Sequence, residues 1–168
     1  RELSATGVEL GGVDPSMTLT YRSEYGMLPE TDRPPPVLLI QEWLANHTDA
    51  IPRSVKPSTE YLLLPHCSER SIALPSLRQW QSAFIAAGAS LRILQSGCCG
   101  MAGTYGHEAE HRATSEAIYS MSWSRQVAQC AGDGRLLATG YSCRSQVKLV
   151  DRKVLSHPAE VLLAYLQE

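Results

Sequence analysis

Glu60-Tyr61-Leu62-Leu63-Leu64-Pro65-His66-Cys67 is the stretch that decides the fold. Its leucine-rich run reads as a buried strand, the proline ends the strand, and a cysteine follows at once. The same order returns twice further on. Ser90 to Leu94 reads as a strand and runs into Ser96-Gly97-Cys98-Cys99-Gly100, and Arg135 to Ala138 reads as a short strand and runs into Thr139-Gly140-Tyr141-Ser142-Cys143. Amphipathic segments lie between the strands. Leu74 to Ala87 is a helix stopped by Gly88, since glycine readily adopts the left-handed conformation that closes a helix. His107 to about Gln129 is a long helix with Ala113, Ala117, Ile118 and Met121 at core spacing. Gln146 to about Asp151 continues as helix, and His157-Pro158 opens a last one, Ala159 to Gln167. Strand, loop and helix in repetition predict an α/β fold: a mainly parallel sheet covered by helices in three layers.

Working outward to the amino-terminal side, Val8 to Val13 is a short strand candidate. Asp14-Pro15-Ser16 starts a helix through about Tyr25, because Asp can cap and Pro fits the first turn. Pro29 to Pro36 is loop, Val37 to His47 returns to a helical pattern with Leu39, Trp43 and Leu44 on one side, and Ile51 to Thr59 is loop again. The chain therefore reads as one domain, residues 1–168, with an amino-terminal portion (1–58) and a core (59–168). At 168 residues, such a domain buries roughly 70% of its unfolded surface. Apolar residues at 43% exclude disorder, and a net charge of −2 gives no basic field for nucleic acid. No apolar run is long enough for a transmembrane segment. The first residue is Arg1 rather than Met, from which we expect a piece of a longer polypeptide.

There are five cysteines, an odd number in a chain with no secretory signal, so metal or redox chemistry is a better reading than a disulfide framework. Cys67, Cys98, Cys99 and Cys143 all follow a strand. In a parallel sheet such loops share the carboxyl edge, where α/β proteins bind ligands. Four thiols distant in sequence can therefore meet and act as metal ligands. Gly97, Gly100 and Gly103 let backbone amides approach a thiolate or an anionic cluster, as iron–sulfur centres require. His66 precedes Cys67 and could tune a thiolate, and His107 could line the same pocket. Cys130 has no strand before it and reads as an unligated cysteine at a helix end. The alternatives for the four thiols are structural zinc, or free thiols in a docking module.

At these residues the chain resembles a family. Gly97 to Glu110 is similar to the CCG cysteine-rich domain of iron–sulfur oxidoreductases, which include heterodisulfide reductase, the glycolate oxidase iron–sulfur subunit and the anaerobic glycerol-3-phosphate dehydrogenase small subunit. The nearest resemblance is to the C-terminal region of bacterial FAD-linked oxidases of the D-2-hydroxyglutarate dehydrogenase type. It runs through Gly12 to Ser16, Arg22, Glu24-Tyr25, Pro65-His66-Cys67, Gly97 to Glu110, Thr139 to Cys143 and His157-Pro158. It implies a 4Fe-4S cluster on Cys67, Cys98, Cys99 and Cys143, and electron transfer from FAD in a missing N-terminal module. The implied partners are FAD-binding and ferredoxin-like modules of the same polypeptide and an acceptor, a quinone or a carrier. The implied place is the cytoplasm, peripheral at the inner membrane face, and the isolated chain should not turn over a 2-hydroxy acid. One departure stands out: many members read Cys-x-x-Cys where this chain has Gly140 before Cys143.

Two competing motifs are weaker. His107-Glu108-Ala109-Glu110-His111 matches H-E-x-x-H, which on a helix places two zinc-binding histidines on one face and would make a zinc hydrolase. No third ligand is spaced suitably downstream. The glycines of 97–106 resemble a phosphate cradle, but no Gly-Lys-Ser/Thr follows.

Overall fold

A computed structural model describes residues 7–30, 33, 35–130 and 132–167. Three strands form the central sheet: β3 (Glu60–Leu64), β4 (Ser90–Ile93) and β5 (Leu136–Ala138). The order is β4-β3-β5 and both pairings are parallel, with Leu62 opposite Arg92 on one side and Leu136 on the other. A second parallel pair, β1 (Leu10–Gly12) and β2 (Val37–Leu39), lies in the amino-terminal portion. The expected parallel α/β architecture is present, in two open sheets rather than one.

The core follows from the two-residue period of the strands. Leu63 and Leu137 face one way, onto Trp80, Phe84, Ala87, Leu162 and Tyr165. Leu64, Leu136 and Ala138 face the other way, onto Tyr119, Trp123, Val127 and Val147. Helices α4 (Pro75–Ala87) and α7 (Pro158–Gln167) therefore cover one face, and α5 (Arg112–Cys130) and α6 (Tyr141–Val150) the other. On α4, Leu77, Trp80, Phe84 and Ala87 make the buried stripe, and Gly88 closes the helix at φ 95°. Helix α7 begins with a reciprocal cap. The Ala159 N–H donates to His157 Nδ1, and the Glu160 carboxylate accepts from the His157 N–H.

Several expectations are corrected. Val37 to Leu39 is strand, not the first turn of a helix; α2 is Ile40–Asn46. The β-branched and leucine side chains there serve pairing with β1 before the chain turns helical. Helix α5 starts at Arg112, five residues later than the pattern suggests, because Tyr105–His107 forms a single 3-10 turn. Its buried stripe is Ser115, Tyr119, Trp123 and Val127, whereas Ala113, Ala117 and Met121 are exposed. Burial selected the aromatic positions over the alanines, since each aromatic ring removes far more surface from water. Helix α6 starts five residues early, and a short helix, α3 (Cys67–Ile72), stands where only a loop was read. Arg22 pairs with Glu42 at 2.8 Å, which joins α1 (Pro15–Glu24) to α2.

Candidate metal centre

The carboxyl edge of the central sheet gathers the four expected cysteines. Cys67 is the first residue of α3, immediately after the His66 cap. Cys143 lies in the first turn of α6. Both therefore sit at helix amino termini, where exposed amides and the helix dipole favour a negative sulfur. Cys98 and Cys99 come from the loop after β4. The thiols form a row: Cys67 contacts Cys98, Cys98 contacts Cys99, and Cys99 contacts Cys143. Cys99 and Cys143 are buried, and Cys67 and Cys98 are half-buried.

The Gly100 N–H donates to Cys98 at 3.3 Å, the Ser68 N–H donates to His66 Nδ1 at 3.2 Å, and the amides of Ser68 and Met101 favour negative charge on Cys67 and Cys99. Charge within the row is uneven. Hydrogen bonds from the Cys67 and Cys99 thiols, then the Gly100 amide and the His66 field, pull Cys98 well below the usual thiol range. The hydrogen bond to Cys98 raises Cys67, and the contacts with Cys143 and Cys98 together with burial raise Cys99. Within the row Cys98 is the sulfur whose negative form is most favoured, with the Cys67 and Cys99 thiols donating to it. Loading more negative sulfur into the row needs a positive ion.

The glycine loop is shaped by α5. Gly97 donates its N–H to Ser122 Oγ at 2.9 Å, and its carbonyl accepts from the Trp123 indole at 3.0 Å. Gly100 adopts φ +87°, and a Cβ there would fall 2.1 Å from the Ser115 carbonyl oxygen. Gly140 sits equally close to its neighbours: its Cβ would lie 2.4 Å from the His66 ring and 3.0 Å from Cys143 Sγ. The His66 ring thus fills the space that a side chain at position 140 would need. Gly103 has φ +68° but open space around it, and His107 is exposed and does not line the cleft at Cys67 and Cys98. Cys130, the last residue of α5, is half-buried against the core and has no contact with the row among those described.

Residues the sequence reading did not single out hold this edge together. Glu69 is fully buried. Its carboxylate accepts from Gln41 Nε2 at 2.9 Å, from the His66 N–H at 3.0 Å and from the Thr139 hydroxyl. Asp14 caps α1 and accepts from the Tyr141 N–H at the start of α6. The His66-x-x-Glu69 spacing is a capping-box pattern, which is the signal that could have found Glu69. Arg144 donates to the carbonyls of Ala138 and Thr139 at the end of β5.

Two buried groups here set opposite responses to pH. Burial outweighs the hydrogen bonds of Glu69 and raises its carboxyl from 4.5 to about 7. The proton is bound more tightly in the folded state, so the stability linked to Glu69 is full below about pH 4.5 and is lost as pH rises through about 7. Burial and the nearby Arg144 push His157 down from 6.5 to about 4. Its contribution is full above about pH 6.5 and is lost as pH falls through about 4. Each effect is on the order of 3 kcal/mol. Glu69→Gln should therefore gain stability relative to the parent on moving from mildly acid to mildly alkaline buffer. His157→Asn should gain on moving the other way. Urea unfolding across pH measures both, and curves parallel to the parent's would contradict the assignment.

The zinc-protease geometry is absent. His107 to His111 is not α-helical, so its two histidines do not share an α-helix face. Among the described residues the one trio of candidate ligand atoms within 4.8 Å of one another is Glu108, Glu110 and His111. That trio is largely exposed, with His111 stacked on Tyr105 at 4.1 Å.

Comparison with known proteins matches this thiol-bearing edge and nearly all the rest of the chain. The chain is 44% identical over 168 residues to D-2-hydroxyglutarate dehydrogenase of Pseudomonas putida and 40% identical over 166 residues to that of Escherichia coli. The chain is a homologue of one segment of these dehydrogenases. The matches cover 99% and 98% of this chain but 16% of each relative's length, so the relatives carry much sequence beyond the homologous segment. A shorter match, 36% identical over 76 residues, is to one of the polypeptides of the anaerobic glycerol-3-phosphate dehydrogenase of Escherichia coli; it covers 45% of this chain and 18% of that polypeptide. No family model matches, and no solved structure matches. Among the described residues no helix is long and apolar enough to cross a membrane.

Proposed function

We propose that this domain holds an iron–sulfur cluster and passes electrons within a larger FAD-linked 2-hydroxy acid dehydrogenase. The observation that carries the reading is the row of four thiols at one sheet edge, with Cys98 met by the Gly100 amide. The residues fit such a group. Cys67, Cys98, Cys99 and Cys143 supply four thiolates. The amides of Ser68, Gly100 and Met101 offset negative charge on sulfur, and the helix amino termini do the same. Glycine at 100 and 140 keeps Cβ atoms out of the narrow places beside Ser115, His66 and Cys143. A bound cluster would supply one-electron redox chemistry. The chain's own part is to bind it, to keep Cys99 and Cys143 away from water, and to leave the Cys67–Cys98 end half-open towards a partner.

The names of the relatives support a 2-hydroxy acid such as D-2-hydroxyglutarate as the substrate of the whole protein. Their extra length supports FAD-binding and ferredoxin-like modules in the same polypeptide. The acceptor is a quinone or a carrier, and the cytoplasm, at the inner membrane face, is the place that fits. Zinc is the second reading. A zinc–thiolate tetrahedron with bonds of ~2.3 Å needs sulfurs about 3.8 Å apart on every edge. A row in which no three sulfurs lie within 4.8 Å of one another suits a larger inorganic core better.

The test is anaerobic purification and reconstitution with ferrous iron and sulfide. Visible thiolate-to-iron absorption with matching iron and sulfide content is the expected result. A colourless protein without iron overturns the proposal, and one zinc per chain with no colour establishes the second reading.

A further inference from the structure

We propose that the cleft bounded by α3, α4 and the loop after β4 binds a small organic anion, a carboxylate carried on an apolar body. The cleft has a volume of about 730 Å³, within the range of small-molecule sites. Arg70 and Arg78 line it and no carboxylate does, although the chain as a whole is acidic by two charges. A pocket with two cations and no acid attracts and retains an anion. The guanidinium of Arg78 has no side-chain partner among the described residues, while Arg70 uses one nitrogen on exposed Gln95. Arginine's planar fork suits a carboxylate.

The rest of the lining argues for an organic body rather than a bare inorganic ion. Leu74, Leu77 and Ile93 form an apolar wall, with Leu74 61% exposed in the absence of any occupant. A hydroxyl group also waits there. Ser96 lines the cleft and is 8% exposed, and its Oγ is buried with no hydrogen-bond partner. A buried hydroxyl without a partner is rare in folded proteins, and a rotamer change of Ser96 would present this one to an occupant. Cys67 and Cys98 close one end of the cleft, so the occupant would lie against the half-exposed end of the thiol row. The proposal does not depend on what the thiols bind.

Titration of the whole chain with 2-naphthoate, followed by calorimetry, tests the cleft. One saturable site is expected. Arg78→Gln should weaken binding about tenfold, consistent with loss of one charge-assisted contact. The uncharged 2-naphthamide should bind about tenfold more weakly than the acid for the same reason. Arg125→Gln, on an exposed position of α5 away from the cleft, should leave the affinity unchanged. Thermal unfolding of each variant, equal to the parent's, separates loss of the contact from loss of the fold. Unchanged affinity in Arg78→Gln, or equal affinity for acid and amide, overturns the proposal. Inorganic phosphate displacing naphthoate at equal concentration overturns the apolar half of it.

Discussion

Gly100→Ala is expected to unfold the thiol loop, with a loss of stability of about 3 kcal/mol or more. Two independent costs add at this residue. The backbone stands at φ +87°, where any L side chain is strained. The new methyl would also lie 2.1 Å from the carbonyl oxygen of Ser115 and 3.0 Å from its carbonyl carbon. Neither atom can swing aside, because both belong to the backbone of α5. That helix is fixed in turn by the Gln146 amide on Ser115 Oγ at 2.9 Å and by the Tyr119 hydroxyl on Asp151 at 2.6 Å. Gly103→Ala is the internal comparison. Its φ of +68° carries the conformational strain, but nothing lies within 4 Å of the added Cβ, so its cost should be about 1 kcal/mol. Denaturant unfolding of both variants decides. Equal losses would mean that contact with Ser115 does not shape the loop.

The second large effect concerns loading. After anaerobic reconstitution, serine at position 67, 98, 99 or 143 should each cut retained iron about tenfold or more, since the ligands carry most of the binding free energy. Cys130→Ser should retain the parent's iron, because Cys130 is the last residue of α5, whereas Gly100 of the thiol loop packs against Ser115 in its first turn. The variants should also differ among themselves. The neighbouring donors favour negative sulfur at Cys98, so its loss should slow uptake as well as reduce its extent. Iron content and the rate of colour development report the two quantities. Full retention in any one of the four would remove that residue from the ligand set.

Much of the central fold was legible because its elements obey local rules. Glu60 to Leu64 is leucine-rich, ends at a proline and forms the middle strand as read. Leu74 to Gly88 has a helical stripe and a glycine stop, and both appear in α4. What the pattern misplaced are segments where tertiary contacts outweigh propensity. Val37 to Leu39 pairs with β1, a partner that no local window contains. The alanines of α5 share a face as well as its aromatics do, and the sheet selects the face with Tyr119 and Trp123. The H-E-x-x-H segment looked helical by composition, but the chain needs a 3-10 turn and a bend to bring Gly106 against Ser115. Convergence of the cysteines was readable from topology alone. Glu69 was not, because a carboxylate in an otherwise ordinary short helix betrays its burial only when Gln41 and Thr139 arrive from distant elements.

The edge that carries the thiols is stitched from the whole length of the described chain. Asp14 reaches Tyr141, Gln41 reaches Glu69, and Thr139 reaches His66. On a ribosome, the first of these residues emerge long before the last. The amino-terminal portion and β3 must wait, edge unfinished, until β5 and the first turn of α6 have been synthesised. Cys67, Cys98 and Cys99 then spend that interval as accessible thiols without their fourth companion. On the proposed reading, complete delivery of inorganic iron and sulfide to this domain waits until Cys143 has been synthesised. Oxidants or stray metals that reach the nascent chain first compete with it most directly.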